Sequence, residues 1–141
     1  SVKTYEYCIL NREMPDPLRR RETWHVSFDL DVEKMRDAAA YLTGEHDFRS
    51  FCSIHTGAKS TVRTVYSIEI EQSADIITIR IQGNGFLYNM VRIIAGTLVS
   101  VGRGLRTPQD VGDMLEARDR EKAEATAPPQ GLILDSIRYT G

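Results

Sequence analysis

The sequence lacks the features that mark exported, disulfide-stabilised and membrane proteins. Its two cysteines, Cys8 and Cys52, lie far apart and form no CxxC pair. Such sparse usage is typical of a reducing compartment and predicts neither a disulfide nor a cysteine metal site. No apolar run approaches the roughly 20 residues that span a bilayer, and the first residues have no long apolar segment ending in small residues, as a signal peptide has. We therefore expect a cytoplasmic protein without membrane contact.

Motifs for several kinds of catalysis are absent too. There is no GxSxG nucleophile motif in the sequence. The two GxG triplets, 83–85 and 102–104, do not continue as GxGxxG after a strand, so they do not favour a nucleotide cofactor. His25, His46 and His55 stand in separate segments without the spacing of a metal site. The residues predict no metal and no nucleotide cofactor.

The charge balance excludes binding to nucleic acid through the overall charge. The formal net charge is −2, and 27% of the 141 residues are charged. Any contact with nucleic acid must therefore come from local patches. Lys3, Lys59, Arg63 and the run 19–21 are candidates for one such patch, although a charge run is more often a solvated surface.

Hydrophobic periodicity predicts a single domain, residues 1–141, of the α+β class, with a mainly antiparallel sheet and helices packed mostly on one face. The predicted elements, in chain order, are a strand at 2–10, a helix at 31–44, strands at 61–72 and 75–83, a helix from 87 to the glycines at 102 and 104, a helix at 107–117 and a strand at 132–140. The segments between them, 11–30, 45–60 and 118–131, are expected to be loops, the second anchored by two phenylalanines and the third a polar connector. Because a strand begins almost at residue 1, we expect a fragment of a longer protein.

Arg92 is the one charged residue of the apolar central segment between Gly83 and Gly102. On a helix, its neighbours three and four positions away include no acid: Tyr88, Asn89, Ala95 and Gly96. A solvated arginine on an amphipathic helix is one interpretation. Since a solvated face usually carries several charges, the solitary guanidinium favours a distant carboxylate or phosphate, which arginine binds in bidentate fashion.

Five segments of the sequence match one protein family in the same order along the chain: KTYEYCILN, GEHDFRSFC, KSTVRTVYSIEI, GNGFLYNMVRIIAGTLVSVGRG and ATAPPQGLIL. They resemble the C-terminal half of the TruA-type bacterial tRNA pseudouridine synthases. The resemblance covers essentially the whole chain, and its central segment is highly specific.

This resemblance implies one half of a pseudouridine synthase fold, in which two similar halves surround a basic cleft, and a homodimer. It implies an isomerase that converts uridine to pseudouridine on the 3′ side of the tRNA anticodon stem-loop, at tRNA positions 38–40, without metal or organic cofactor. The family's catalytic aspartate lies upstream of the matched region in an Arg-Thr-Asp-x-Gly motif, which this sequence does not contain. The missing N-terminal half is therefore an expected partner, and the chain alone is expected to be inactive.

The resemblance also implies roles for single residues. Arg92 is expected to pair with the catalytic aspartate of the missing half and to keep it ionised and oriented. Tyr5 is expected to pack on the target uridine, which must leave its stack, and is a candidate proton acceptor. Further substrate or RNA contacts are implied for a loop and for pocket residues: Lys3, His55, Thr56, Gly57, Ala58, Lys59, Arg63, Asn84, Phe86 and Leu132.

Two other classes of function fit the residues. One is a non-catalytic RNA-binding module, although the aromatic RNP1 pattern of an RNA recognition motif is absent. The other is a dimerisation domain, in which Arg92 would bond backbone carbonyls and have only a structural role. Replacement of Arg92 by alanine separates these classes, because an enzyme would lose activity and keep its fold, whereas a structural arginine would mainly support stability.

Overall fold

The structure is a computed structural model that describes residues 1–53 and 58–139. Six strands form one sheet: β1 (Val2–Asn11), β2 (Trp24–Val26), β3 (Gly44–Asp47), β4 (Val62–Ser73), β5 (Ile76–Gly83) and β6 (Leu132–Arg138). Three α-helices accompany them: α1 (Val32–Ala40), α2 (Met90–Gly102) and α3 (Pro108–Ala117). The predicted α+β class is confirmed.

Strand β1 lies at the centre of the sheet. One side of β1 pairs antiparallel with β5, which pairs with β4 and then β3, also antiparallel. The other side pairs antiparallel with β6 near the start of β1 and parallel with β2 at its end. The sheet is therefore mainly antiparallel, as predicted, and β1 joins the N-terminal and C-terminal ends of the chain.

The helices cover one face of this sheet, and α2 is the most buried of them, as predicted. The core beneath α2 consists of side chains that alternate along β1 and β5 and are fully buried: Tyr7, Ile9, Ile77, Ile79 and Ile81. The opposite sheet face carries polar and charged side chains, among them Glu6, Glu69 and Arg80. No helix among the described residues is long and apolar enough to cross a bilayer.

Local signals placed the starts of α1 and α3 correctly, whereas α2 begins at Met90, three residues after its predicted start. The side chain of Asp31 caps α1 by accepting a hydrogen bond from the backbone N–H of Lys34. Thr107 and Asp110 form a reciprocal capping box at the start of α3. Helix α1 ends at Ala40, earlier than the predicted end at residue 44, because Gly44, with φ of 103°, already begins β3 and pairs with Val65.

Two short strands were missed within segments that we expected to be loops. β2 has three residues and pairs only with the end of β1, and β3 has four residues and pairs only with β4. Strands this short show no readable alternation, so only the pairing with a distant strand defines them. The expected anchors of the second segment, Phe48 and Phe51, are fully buried, as predicted.

The segment 118–131, which we expected to be a polar connector, packs against α2 instead. The backbone N–H of Ala127 donates to the carbonyl of Arg92 at 3.0 Å. A Cβ atom at Gly96 would lie 2.1 Å from the carbonyl oxygen of Ala125, so only glycine allows this approach. Since the contact is made by backbone atoms, the polar side chains of the segment gave no sign of it.

Candidate active site

A cavity of about 400 Å³ lies at the N-terminal end of α2, beside β1 and the start of β6. Four of the expected site residues line it: Tyr5, Phe86, Arg92 and Leu132. They come from β1, from the segment between β5 and α2, from α2 and from β6, so the sheet topology brings them together. Tyr88, which is 70% exposed, also lines the cavity and offers an aromatic ring at its rim.

Tyr5 and Phe86 form the aromatic wall of the cavity. Their rings meet edge to face, with centroids 5.3 Å apart. Tyr5 lies on the same face of β1 as the fully buried Tyr7, two residues further on, and is itself half-buried. A Cβ atom at Gly83 would come within 3.1 Å of the Phe86 ring and 2.9 Å of the Thr64 carbonyl, so the glycine makes room for this packing.

The guanidinium of Arg92 is held by two hydrogen bonds that it donates to neutral acceptors. Its Nε donates to the carbonyl oxygen of Ala127 at 2.8 Å, and its Nη1 donates to Oδ1 of Asn89 at 3.2 Å. Within residues 1–53 and 58–139, no carboxylate lies at ion-pair distance, and Nη2 has no hydrogen-bond partner. Because every buried side-chain nitrogen in that part of the chain is satisfied, Nη2 is open to solvent. The charge is oriented but not neutralised.

Asn89 connects Arg92 to the loop that follows the short 3-10 turn Arg49–Phe51. It caps α2 in the left-handed conformation, with φ of 64°, where asparagine is one of the few favoured non-glycine residues. Its Nδ2 donates to Oγ of Ser53 at 2.9 Å while Oδ1 accepts from Arg92. Asn89 is one of the helix neighbours of Arg92 that the sequence predicts. An asparagine at that position does not by itself indicate a hydrogen bond to the guanidinium, so this role was missed.

Tyr7 fixes the backbone beside the carbonyl of Ala127, which is the second acceptor of Arg92. Its hydroxyl donates to the carbonyl of Pro128 at 2.5 Å, next to the Ala127 carbonyl that accepts from Arg92. Burial raises the pKa of Tyr7 well above the ordinary tyrosine value, an effect that the charge of Arg92 partly opposes. The phenol therefore stays protonated and donates at neutral pH. Nothing in the sequence pattern distinguished it from an ordinary strand tyrosine.

Several other expected site residues lie outside the cavity. Arg63 donates through Nη1 to the carbonyls of Ser60 and Val62, and Asn84 accepts from the backbone N–H of Thr64 at the end of the β4–β5 hairpin. Lys3 pairs within the sheet between β5 and β6.

The expected RNA-contact loop is only partly described. Ala58 and Lys59 line a separate groove next to the cavity. His55, Thr56 and Gly57 lie outside the described residues. Across the part of the chain that is described, no group of three His, Cys, Asp or Glu side chains is arranged to hold a metal ion.

The fold and the cavity agree with what sequence comparison shows about the class of protein. A family model described as tRNA pseudouridine synthase matches residues 38–140, which is most of the chain. The chain belongs to the tRNA pseudouridine synthase family.

Individual relatives are more specific. The chain is 52% identical over 138 residues to tRNA pseudouridine synthase A of Brevibacillus brevis, which covers 98% of this chain and 57% of that protein. It is 47% identical over 137 residues to tRNA pseudouridine synthase A of Bacillus subtilis, with 97% of this chain and 56% of that protein covered. The chain therefore spans little more than half the length of these curated relatives.

Proposed function

We propose that the complete protein is a tRNA pseudouridine synthase and that residues 1–141 form its C-terminal domain. Family membership supports the reaction, and the names of the relatives support tRNA as the substrate. The observation that carries the proposal is Arg92, whose guanidinium is oriented at a cavity, has an open Nη2 and faces no carboxylate of the described chain. The proposed partner of this charge is the catalytic aspartate of the N-terminal half.

The reaction moves the uracil ring from one point of attachment to another. The bond between N1 and C1′ breaks, a bond between C5 and C1′ forms, the proton on C5 leaves, and N1 takes up a proton, so that the uracil ring stays neutral. Arg92 keeps the aspartate ionised at neutral pH and directs it toward the sugar or base, because a fixed positive charge favours the carboxylate form. Tyr5 packs its ring on the uracil, and its hydroxyl is positioned as acceptor of the departing C5 proton.

The substrate site that we propose is the anticodon stem-loop, on its 3′ side at tRNA positions 38–40. The target uridine leaves its stack to enter the cavity, whose apolar wall of Phe86 and Leu132 suits a planar base. The loop from His55 to Lys59 contacts the RNA, with Lys59 suited to a phosphate. Lys3, Arg63 and Asn84, which lie outside the cavity, are proposed as contacts with RNA outside the target base.

The proposed assembly is a homodimer of the complete protein in the cytoplasm, where its tRNA substrate is found. The dimer is expected from the family resemblance. Sedimentation analysis of the complete protein tests it, since a monomer at working concentration would contradict it.

The function is tested with the complete protein and a tRNA transcript that carries tritium at C5 of uridine. C5 loses its tritium when it forms the new bond to C1′, so the release of tritium reports the isomerisation directly. We expect release by the complete protein and none by residues 1–141 alone. The coding DNA upstream of Ser1 gives an independent test, because an in-frame Arg-Thr-Asp-x-Gly motif is expected there.

One contact in the cavity fits the alternative of a non-catalytic module. Arg92 bonds a backbone carbonyl, as a purely structural arginine would. That alternative predicts that Arg92→Ala weakens folding without abolishing tritium release, whereas the enzyme proposal predicts loss of release with the fold retained.

A further inference from the structure

A groove of about 1000 Å³ lies next to the cavity, and of its lining residues only Ala58 and Lys59 have so far been proposed to contact RNA. It runs between the 3-10 turn Arg49–Phe51, the segment 58–62 and the end of α3. Four basic residues line it: Arg49, Lys59, Arg118 and Arg120. Only Lys59 was singled out from the sequence, because the others are scattered over separate segments and meet only in the fold.

Three of these basic side chains make few or no contacts with other described residues. Arg49 and Lys59 are exposed, and their side chains make no hydrogen bond or ion pair with any described residue. The side chain of Arg118 is 67% exposed, and its Nε lies 3.9 Å from Oδ2 of Asp47, a surface contact of little energetic weight. Arg120 differs, since it donates to the carbonyl of Glu124 and to the hydroxyl of Thr126.

Three acids line the same groove, and two of them accept hydrogen bonds from nearby residues of the chain. Asp47 accepts hydrogen bonds from the backbone N–H of Arg49 and from the hydroxyl of Thr61. Asp119 accepts from the backbone N–H of Glu121. Glu121 is the third acid and is exposed. Hydrogen-bonded carboxylates keep their charge, so the four cations of the groove exceed its three acids by one.

The groove and the cavity share a wall. Ser53 lines the groove, and its Oγ accepts from Asn89, which lines the cavity. The backbone N–H of Ser53 also donates to the carbonyl of Tyr88 at the rim of the cavity. A strand that enters the cavity with one base can therefore continue along the groove with its backbone.

The open face of the sheet offers no comparable surface. There Arg80 is bound by Glu6 and Asp135, and Glu69 and Glu71 are exposed. Phosphates are repelled by such a face and attracted by exposed arginine and lysine.

We propose that Arg49 and Arg118, together with Lys59, bind the phosphate backbone of the RNA segment that leads to the target base. This inference rests on the proposed function for the identity of the RNA. Neither arginine lines the cavity, so both act on binding and not on the chemical step. Arginine on phosphodiester groups positions the RNA and carries no sequence information.

The test compares two double variants of the complete protein with equal loss of charge. Arg49→Gln with Arg118→Gln removes two of the four groove cations, and Lys34→Gln with Lys122→Gln removes two exposed lysines that do not line the groove. The binding of an unmodified tRNA transcript is measured over a series of salt concentrations. Loss of two phosphate contacts should lower the slope of log K against log salt by about 1.5 and weaken binding about tenfold or more near 0.15 M salt.

We expect the groove variant to raise KM and to keep kcat within about twofold, while the lysine variant matches the wild type in slope and affinity. An unchanged slope in the groove variant, an equal loss in the lysine variant, or a wild type that does not bind the transcript would overturn the inference. Absence of tritium release from a wild type that binds tRNA contradicts the proposed function alone, and the salt slopes still decide whether the groove binds RNA.

Discussion

Arg80 and Arg92 are both half-buried, and they differ in what surrounds them. On the open face of the sheet, Nη1 of Arg80 lies 2.9 Å from carboxylate oxygens of both Glu6 and Asp135. At the cavity, Arg92 is held by the side chain of Asn89 and a backbone carbonyl, and no carboxylate among the described residues reaches it.

The difference separates a structural charge from one that is available to a partner. The charge of Arg80, on β5, is balanced by the carboxylates of Glu6 on β1 and Asp135 on β6. Neutral hydrogen-bond acceptors orient the guanidinium of Arg92 without cancelling its charge, so it can still bind an anion with its open Nη2. A half-buried cation arranged in this way is expected where an anionic group arrives from outside the chain.

Replacement of Arg92 by alanine in the complete protein is the most severe test of this contrast. We expect tritium release to fall by at least about a hundredfold, the scale of losing one oriented electrostatic group at a reacting centre. The free energy of unfolding should fall by only about 1 kcal/mol, because two hydrogen bonds are lost. A large loss of stability with activity retained would make Arg92 the structural residue and reverse the contrast.

Tyr7→Phe tests the support of Arg92 without touching the cavity. The change removes the hydroxyl that donates to Pro128 and leaves that carbonyl without its partner, at a cost of about 1–3 kcal/mol in unfolding free energy. Since the neighbouring Ala127 carbonyl holds Arg92, we expect kcat to fall with little change in KM. Urea unfolding and steady-state kinetics measure the two effects. Equal kcat in wild type and variant would show that Arg92 needs no such support.

Asn89 offers a matched pair of substitutions. Asn89→Gly removes both side-chain hydrogen bonds and keeps the left-handed backbone relaxed, whereas Asn89→Ala removes the same bonds and adds backbone strain of about 1 kcal/mol. We expect both variants to lose roughly fivefold to tenfold in kcat, corresponding to about 1 kcal/mol, and only the alanine variant to lose the additional stability. If the glycine variant keeps full activity, Asn89 serves only as a helix cap.

Arg80→Ala is the converse of the first test. It leaves Glu6 and Asp135 facing each other without the shared cation, and we expect a loss of about 1 kcal/mol or less, because all three side chains are partly exposed. Tritium release at saturating tRNA should equal that of the wild type. A loss of activity as large as that of Arg92→Ala would remove the distinction between the two arginines.

The smallest effect concerns a third arginine, Arg19, which is balanced by Asp16 and Asp75. The hydrogen bond from Arg19 lowers the pKa of Asp75, so the ionised carboxylate stabilises the fold above the ordinary aspartate pKa near 4. This contribution is lost as the pH falls through the lowered pKa. We therefore expect Asp75→Asn to melt below the wild type at pH 7 and to match it more closely at pH 3, and parallel melting curves at both pH values would contradict this.

The elements that local sequence determines were predicted well. Strands β4 and β5 and helices α2 and α3 depend on alternation, 3.6-residue spacing and cap residues within a few positions. Strands β2 and β3 were not predicted, because each has only three or four residues and exists through pairing with another strand.

The candidate site divides in the same way. Arg92 stood out because it is the one charge in an apolar segment, and the family resemblance supplied Tyr5, Phe86 and Leu132. What orients the guanidinium was beyond sequence, because the hydrogen bond from Asn89 to Ser53 spans 36 positions and that from Tyr7 to Pro128 spans 121. Such contacts form only when the tertiary fold brings distant segments of the chain together.

The sequence by itself determined the α+β class, the starts of α1 and α3 and the isolation of one arginine, since each depends on residue types and short spacings. Its resemblance to known proteins indicated the family. The tertiary structure decided which cations are balanced and which are not. Whether a carboxylate meets an arginine depends on strand register and on backbone that packs from far along the chain. For that reason Arg80 and Arg92, each of which lies between two β-branched apolar residues in the sequence, differ in whether carboxylates balance their charge in the folded protein.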